Sequence, residues 1–416
     1  MIESKLKSLP ILVTAIYACV SCSDGSSTPT STASGSSDDV VDVSGNNDDT
    51  SADISVSSQL LAQFSKQIHE TYTAFLEATT LLESKLKSYQ TSLSSEDKVA
   101  AQQAWVAAVD LWQHAEAMLV GPAGVMGEVV GGEDVRDEVY SWPLVNNCRV
   151  DQETVEGSYS ALDTFKEEAV NVRGLDAIEY LLYTEDEGNG CKATASINSK
   201  NKWEAIQAEV TQRRADYAVA AASLIRAEAE GLVAAWKDGA SNFAKDFNTA
   251  GDGSDKFETE QAALNALSDA LFYIDKMTKD MKLSEPLGLS ECDTDVCLDA
   301  LESKWARRSK EHILNNLKAA QIIYLGASPG TEAVGFDDLL NSVDAKELAS
   351  EMSIVLAEAI KAVESIEGNL YDALTTEPAE VEKAYKATKA FTDLLKTQFV
   401  AVLNLEVPQR AASDND

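Results

Sequence analysis

Helical periodicity limits what this chain can fold into more than any other feature, because it runs through nearly every segment after residue 57. Apolar side chains recur every three or four residues, whereas strand-like alternation is scarce. The pattern predicts an all-α protein with two four-helix-bundle-like domains, at 57–250 and 251–416. Helices are predicted near 56–89, 94–120, 154–170, 174–183, 197–237, 256–282, 298–325, 345–374 and 379–404.

The two halves of the chain share a weak pattern, in which one helix contains a tryptophan and ends at a glycine. Trp105 lies on a helix that ends at Gly121, and Trp305 and Gly326 hold similar places in the second half. The correspondence indicates either an internal duplication or a chance match between two helix pairs.

The first 56 residues are typical of an exported lipoprotein. Residues 1–22 contain lysines followed by an apolar run that is too short to span a bilayer, which predicts a signal peptide. Residues 16–19 resemble a bacterial lipobox, so Cys19 is the expected lipidation site and Cys22 the alternative. Residues 23–56 are rich in Ser, Thr, Gly and Asp and predict a disordered tether.

Charge excludes one class of partner. The 416-residue chain has a formal net charge of −35 at pH 7, whereas nucleic-acid binding needs a basic surface. We therefore expect no nucleic-acid partner, and we expect most of the acidic residues on a solvated surface.

Four cysteines remain beyond the signal region, in a chain expected in an oxidising compartment. Three pairings are possible. The sequence favours Cys292–Cys297, which closes a short loop, together with Cys148–Cys191. A zinc site is the less favoured alternative, because neither pair has Cys-x-x-Cys spacing.

Two acids occur together in the short helix predicted at 174–183. At 100° per residue, Asp176, Glu179 and Tyr183 line the edge of its apolar stripe. A buried charge without a partner is costly. A metal ion, an arginine or water in a cleft is therefore expected beside Asp176 and Glu179.

Other polar residues also face inward. Glu116 lies among the apolar residues of the second helix, where it either pairs with a core arginine or joins a polar site. Arg308, His312 and Asn316 follow one another at spacings of four near the inner arc of another helix. They either face a cleft between bundles or pair with acids within one bundle.

We expect one site where these residues converge, near the long loop predicted at 122–153. Its expected metal ligands are Glu116, Asp176 and Glu179. Carboxylates are hard ligands that suit iron, calcium or manganese better than zinc. The side chains expected to surround the site and bind its ligand are Trp142, Arg173, Tyr183, Arg308 and His312.

Several motifs resemble one family. Gly174-x-Asp176-x-x-Glu179, followed by Tyr-Leu-Leu, is similar to the Gly-x-His-x-x-Glu signature of the imelysin-like family of bacterial cell-envelope proteins. The chain shares with this family a helix from Trp105 to Pro122, Tyr-Ser-Trp-Pro at 140–143, Cys191 and a C-terminal Ser-Asp-Asn-Asp. The resemblance covers nearly everything after about residue 58, and Asp176 stands where the family has histidine.

The resemblance implies a bacterial envelope protein with a link to iron uptake. With the predicted lipid anchor, it would face the periplasm or the cell surface. We expect a binding protein for iron or another divalent cation, with the membrane and the iron-uptake machinery as partners. The family also implies a metallopeptidase, but Asp176 and a content of only three histidines favour a non-enzymatic role. A non-catalytic scaffolding lipoprotein is the remaining alternative.

The lipid-anchor prediction can be tested by fractionation. Cys19→Ala, or Cys22→Ala if the second site is used, should release the protein from membranes, because the acyl chain would be lost. Membrane association that persists when both cysteines are replaced would contradict the prediction.

Overall fold

Helices account for the regular structure of this chain. The computed structural model describes residues 55–185, 187–239 and 241–408, and in those ranges it contains no strand. The all-α prediction is therefore confirmed. The α-helices of these ranges are α1 (Val56–Ser92), α2 (Ser95–Ala115), α3 (Val135–Val139), α4 (Asn147–Glu156), α5 (Leu162–Phe165), α6 (Leu175–Tyr183), α7 (Ser196–Ser199), α8 (Lys202–Ala205), α9 (Val210–Trp236), α10 (Phe243–Asn248), α11 (Glu260–Leu271), α12 (Ser309–Leu325), α13 (Phe336–Ser342), α14 (Lys346–Glu364), α15 (Leu370–Thr376), α16 (Pro378–Leu394) and α17 (Val400–Val402).

Two groups of helices pack around a continuous apolar core. In one group α1 packs against α2 and α9, and α6 packs against both α2 and α9. In the other group α14 packs against α12 and α16, and the π-helical segment Ile274–Ser284 packs against both α12 and α16. Helices α2 and α12 pack against each other, so residues from both groups meet there. The predicted boundary at 250 and 251 and the internal duplication stay predictions.

Caps and aromatic packing fix the helices that carry the site. The Ser94 hydroxyl accepts the N–H of Asp97 at 3.1 Å and begins α2, as its sequence indicates. Trp112 of α2 packs on Phe75 of α1, with ring centroids 5.0 Å apart. Trp105 donates its indole N–H to the carbonyl of Leu175 at 2.7 Å. This bond ties α2 to the first residue of α6.

Several helices are shorter or more divided than the sequence predicts. The helix expected at 298–325 begins only at Ser309, because Arg307 adopts a φ of 58° and the strap, defined here as residues 301–308, is irregular. The helix expected at 345–374 is divided near Gly368, whose φ is 66°. The helices expected at 154–170 and 197–237 likewise divide into shorter elements.

The helix expected at 256–282 changes type along its length. It is α-helical as far as Leu271 and then continues as the π-helical segment Ile274–Ser284. The loop expected at 122–153 contains α3 and most of α4. Both differences place polar residues of these segments at the candidate site.

The structure contains both disulfides that the sequence favours, Cys148–Cys191 and Cys292–Cys297. The signal peptide at 1–22, with Cys19 and Cys22, lies outside the described residues, and so does nearly all of the tether at 23–56. None of the described helices is both long and apolar enough for a bilayer span.

The two disulfides should contribute unequally to stability. In the chain-entropy model the stabilisation grows with the closed loop, and the cysteines are separated by 43 positions in Cys148–Cys191 and by 5 in Cys292–Cys297. Replacing Cys148 and Cys191 by serine should lower the free energy of unfolding by about 4 kcal/mol, and the same change at Cys292 and Cys297 by about 2 kcal/mol. Urea unfolding of both double variants measures this, and equal losses would contradict the loop-length argument.

Candidate functional site

A glycine in a left-handed conformation begins the family-like stretch. Gly174 has a φ of 98°, and a Cβ atom there would lie 2.8 Å from Oδ1 of Asp176 and 3.0 Å from the carbonyl oxygen of Val139. Only glycine fits this position without strain. The tight turn at Gly174 brings Asp176, in the first turn of α6, close to the backbone that leads to Tyr140.

Asp176 is buried and bonded to neutral donors. Its Oδ2 accepts the hydroxyl of Ser141 at 2.8 Å, and its Oδ1 accepts the N–H of Ala177 at 2.9 Å. Burial raises the pKa of Asp176 to about 7, although these bonds and the charge of Arg136 act in the opposite direction.

Glu179 lies one turn further along α6 and links this helix to the strap. Its Oε1 accepts the backbone N–H groups of Trp305 and Ala306, at 3.1 and 2.8 Å. Burial raises the pKa of Glu179 to about 8, and the nearby charge of Glu302 adds to the increase. Within the described ranges, no cationic side chain is in hydrogen-bond contact with Asp176 or Glu179, in contrast to the next two acids.

Glu116, at the end of α2, is fully buried and has charged partners. Arg136 donates from Nε to its Oε1 at 3.1 Å, Tyr273 donates its hydroxyl to Oε2 at 2.5 Å, and Lys282 Nζ lies 3.4 Å from Oε2. Arg136 also donates to the carbonyl oxygen of Trp142 at 2.7 Å. The core-arginine alternative for Glu116 is therefore what the structure shows.

Lys282 and Glu302 form the second buried ion pair. Lys282 Nζ lies 3.0 Å from Oε1 of Glu302, and Nδ1 of His312 lies 3.2 Å from Oε2. Burial alone would raise the pKa of Glu302, but the charges of Lys282 and His312 lower it below its usual range. Nε2 of His312 is buried and has no hydrogen-bond partner within the described part of the chain.

Tyr140 is buried within electrostatic range of all four acids. Burial raises its pKa well above the usual value, and the charges of Glu302, Glu179, Asp176 and Glu116 raise it further. Asp176 and Glu116 are linked through neighbouring loop residues, because Ser141 donates to Asp176 and Arg136 donates both to Glu116 and to the carbonyl of Trp142. The ring centroid of Trp142 lies 5.8 Å from Lys282 Nζ. Convergence of Glu116, Asp176 and Glu179 on one ion stays a prediction.

The polar cluster is defined here as the four acids Glu116, Asp176, Glu179 and Glu302 with the side chains around them: Gln113, Arg136, Trp142, Tyr273, Lys282 and His312. Three of the predicted binding residues lie outside this cluster. Arg173 is paired with Glu138, and Arg308 donates to both oxygens of Asp110 at 2.8 and 2.6 Å. Tyr183 donates its hydroxyl to the backbone of α2 at 3.2 Å. His312 and Trp142 are the predicted binding residues that belong to the cluster.

Five side chains of the cluster were not anticipated as site residues: Gln113, Arg136, Tyr273, Lys282 and Glu302. Gln113 lies one turn before Glu116 on α2, so its helical spacing could have identified it. The positions of Tyr273 and Lys282 depend on the π-helical segment, which no simple periodicity predicts.

The donor atoms of the cluster are mostly engaged by protein groups. Among the residues that the structure describes, no three His, Cys, Asp or Glu side chains are arranged to hold a metal ion. Asp176 and Glu179 offer carboxylate oxygens without a cationic contact, whereas Glu116 and Glu302 are already neutralised. The cluster can therefore store protons or take a cation at one pair of carboxyl groups.

The fold and the cluster define an all-helical protein with a buried, charge-paired polar site. The model of the imelysin family, peptidase family M75, matches residues 68–398. The chain belongs to the imelysin family. No curated protein matches the sequence.

Two solved structures share the fold. A putative iron-regulated protein A precursor from Parabacteroides distasonis ATCC 8503 has 19% sequence identity and a TM-score of 0.63, over 85% of this chain and 96% of that one. An imelysin-like protein from Psychrobacter arcticum 273-4 has 18% identity and a TM-score of 0.63, over 85% of this chain and 98% of that one.

The raised pKa values of Asp176 and Glu179 predict a pH-dependent stability. Each of these carboxyl groups has a higher pKa in the folded state than in the unfolded state. At a pH between the two values, the folded protein keeps the proton and the unfolded protein releases it. The free energy of unfolding therefore decreases as the pH rises towards 8. Each pKa unit corresponds to about 1.4 kcal/mol. From pH 5 to pH 8, the free energy of unfolding should therefore decrease less in Glu179→Gln than in the wild type, by on the order of 2–3 kcal/mol.

Urea unfolding at both pH values, with a chelator present, measures the effect. Glu70→Gln, which alters an exposed acid of α1, is the matched control and should leave the pH dependence unchanged. A pH dependence of Glu179→Gln equal to that of the wild type would contradict the assignment.

Proposed function

We propose that this protein is a non-enzymatic, lipid-anchored binding protein of the bacterial envelope that takes part in acquiring iron or another divalent cation. Membership in the imelysin family supports an envelope location and a metal-related role. The shared fold with a protein described as a putative iron-regulated protein A precursor is compatible with iron. The partners in this proposal are the membrane, through the lipid anchor, and the iron-uptake machinery.

The main support for the proposal is that, among the described residues, two of the four buried acids have cationic partners and the other two do not. Arg136 and Lys282 balance Glu116 and Glu302, whereas the donors to Asp176 and Glu179 in the part of the chain that the structure describes are neutral. Ionising Asp176 and Glu179 together in a buried place is unfavourable unless a cation accompanies the charge. A divalent ion balances both carboxylates.

The two carboxyl groups are suitable ligands for a hard cation, although they would supply only part of its coordination sphere. Carboxylate oxygens suit iron, calcium and manganese, and such ions often retain water as further ligands. Asp176 and Glu179 are the proposed protein ligands; Trp142 follows Ser141, which donates to Asp176, and His312 contacts Glu302. The predicted role of Glu116 as a third ligand would require Arg136 or Lys282 to move away from it.

Hydrogen bonding at Glu179 favours binding over peptide hydrolysis. A general base must reach the proton that it removes, but Oε1 of Glu179 is held by the N–H groups of Trp305 and Ala306. Asp176 is held in a similar way by Ser141. These contacts support a binding role in preference to the metallopeptidase alternative.

Metal titration of the purified protein tests the proposal. The wild type should bind one divalent ion per chain in calorimetric titrations with Ca²⁺ and, without oxygen, with Fe²⁺, and should bind Zn²⁺ more weakly. Residues that only orient metal ligands affect affinity by about 10–100-fold, so Asp176→Asn and Glu179→Gln should each weaken binding at least that much. Circular dichroism should show an intact helical fold in both variants.

Glu153→Gln provides a matched control, because Glu153 is also a fully buried acid but bonds to Ser158 in another part of the chain. This variant should bind metal as the wild type does. Absence of divalent-ion binding by the wild type would overturn the proposal, and peptide hydrolysis by the metal-loaded wild type would support the enzymatic alternative instead.

A further inference from the structure

An oxygen cage surrounds the ammonium group of Lys282. Its Nζ lies 2.7 Å from Oε1 of Gln113, 2.9 Å from Oδ1 of Asn316, 3.0 Å from Oε1 of Glu302 and 3.4 Å from Oε2 of Glu116. Two carboxylates and two carboxamides are a donor set that cations bind. Lys282 itself is 1% exposed, so its charge is almost completely withdrawn from water.

Hydrogen bonds between the cage residues hold these oxygens in place. Asn316 donates from Nδ2 to the backbone oxygen of Gln113 at 2.6 Å, and Gln113 donates from Nε2 to Oε1 of Glu302 at 3.0 Å. The rings of Tyr273 and Trp142 lie with their centroids 5.3 and 5.8 Å from Nζ, within the range of cation–π attraction. The cage is therefore shaped around a monovalent cation.

We propose that the ammonium group of Lys282 is the cation that occupies this cage. By occupying it, Lys282 prevents Glu116 and Glu302 from binding external metal ions. Removal of the Lys282 side chain converts the cage into a binding site for ammonium or potassium ions. The inference rests on the proposed function in one respect, because it leaves Asp176 and Glu179 as the acids that take the ligand.

A count of charges favours a monovalent occupant. Arg136 contacts Oε1 of Glu116, which is not a cage oxygen, so removing Lys282 subtracts one positive charge from the cage itself. One positive charge restores the balance. On the side away from Lys282, Oε2 of Glu302 lies 3.2 Å from Nδ1 of His312, whereas Nε2 of His312 has no hydrogen-bond partner within the described ranges.

Rescue of Lys282→Ala by small cations tests the inference. Thermal unfolding of the full protein should show a lower Tm for Lys282→Ala than for the wild type, and ammonium or potassium chloride should raise that Tm in a saturable way. Choline chloride at the same ionic strength controls for screening and should not reproduce the rise, because choline is too large for the cage. The wild type should show no saturable response.

Lys279→Ala is the matched control on the same π-helical segment. Lys279 is also fully buried and lies 3.1 Å from Oδ1 of Asp275. When Lys279 is removed, Asp275 keeps the ammonium group of Lys396 at 3.4 Å. Lys279→Ala should therefore be destabilised without gaining a specific response to ammonium or potassium. Equal responses of the two alanine variants would overturn the inference.

A second pair of variants covers the case in which Lys282→Ala does not fold. Lys282→Met should be less stable than Lys282→Met combined with Glu302→Gln, because the double variant removes one positive and one negative charge together. A double variant no more stable than Lys282→Met would contradict the role of Lys282 as the counter-charge of Glu302.

The test separates this inference from the proposed function. The ammonium response of Lys282→Ala should persist when Glu179→Gln is added, because Glu179 is not part of the cage. A response to ammonium in a protein whose wild type binds no divalent ion would support the cage and overturn the proposed function. Divalent binding without any ammonium response in Lys282→Ala would support the proposed function and overturn the cage.

Discussion

Burial of ionised side chains where α2 meets α12 is the constraint on which the polar cluster depends. An ion loses several kcal/mol of solvation when it is buried, and only close partners with good geometry offset this loss. Glu116 and Glu302 therefore require Arg136 and Lys282 at fixed positions. The loop after α2, the π-helical segment and the strap must each place one charged group within about 3 Å of another, so their relative positions are closely restricted.

The cluster is built where the backbone departs from regular α geometry. Gly174 turns sharply before α6, Ile274–Ser284 is π-helical, and Arg307 in the strap has a positive φ. Irregular helical segments of this kind occur frequently at functional sites. Here each of them directs polar atoms into the interior, including the backbone N–H groups that bind Glu179.

Sequence patterns predicted the helical class and the inward direction of the acids, because both follow from local periodicity. Glu116, for example, could be placed among buried tryptophans by its spacing alone. The partners could not be deduced in this way. His312 pairs with Glu302 only because the strap is not helical, and Arg308, on the same predicted arc, instead binds Asp110 near the surface. Lys282 reaches Glu116 from a position 166 residues away, and no local pattern contains that information.

The bonds between Asn316 and Gln113, and between Ala306 and Glu179, join positions that are 203 and 127 residues apart. During folding, the helices on either side of these bonds can form early, but the buried charges remain without partners until distant parts of the chain have docked. Non-local contacts of this type slow folding, because the chain must first lose the entropy of closing long loops. Once formed, they oppose partial opening: separating α2 from α12 would leave several buried charges unpaired at once. The helices around the cluster are thereby coupled, so that the native state is favoured as a single cooperative unit.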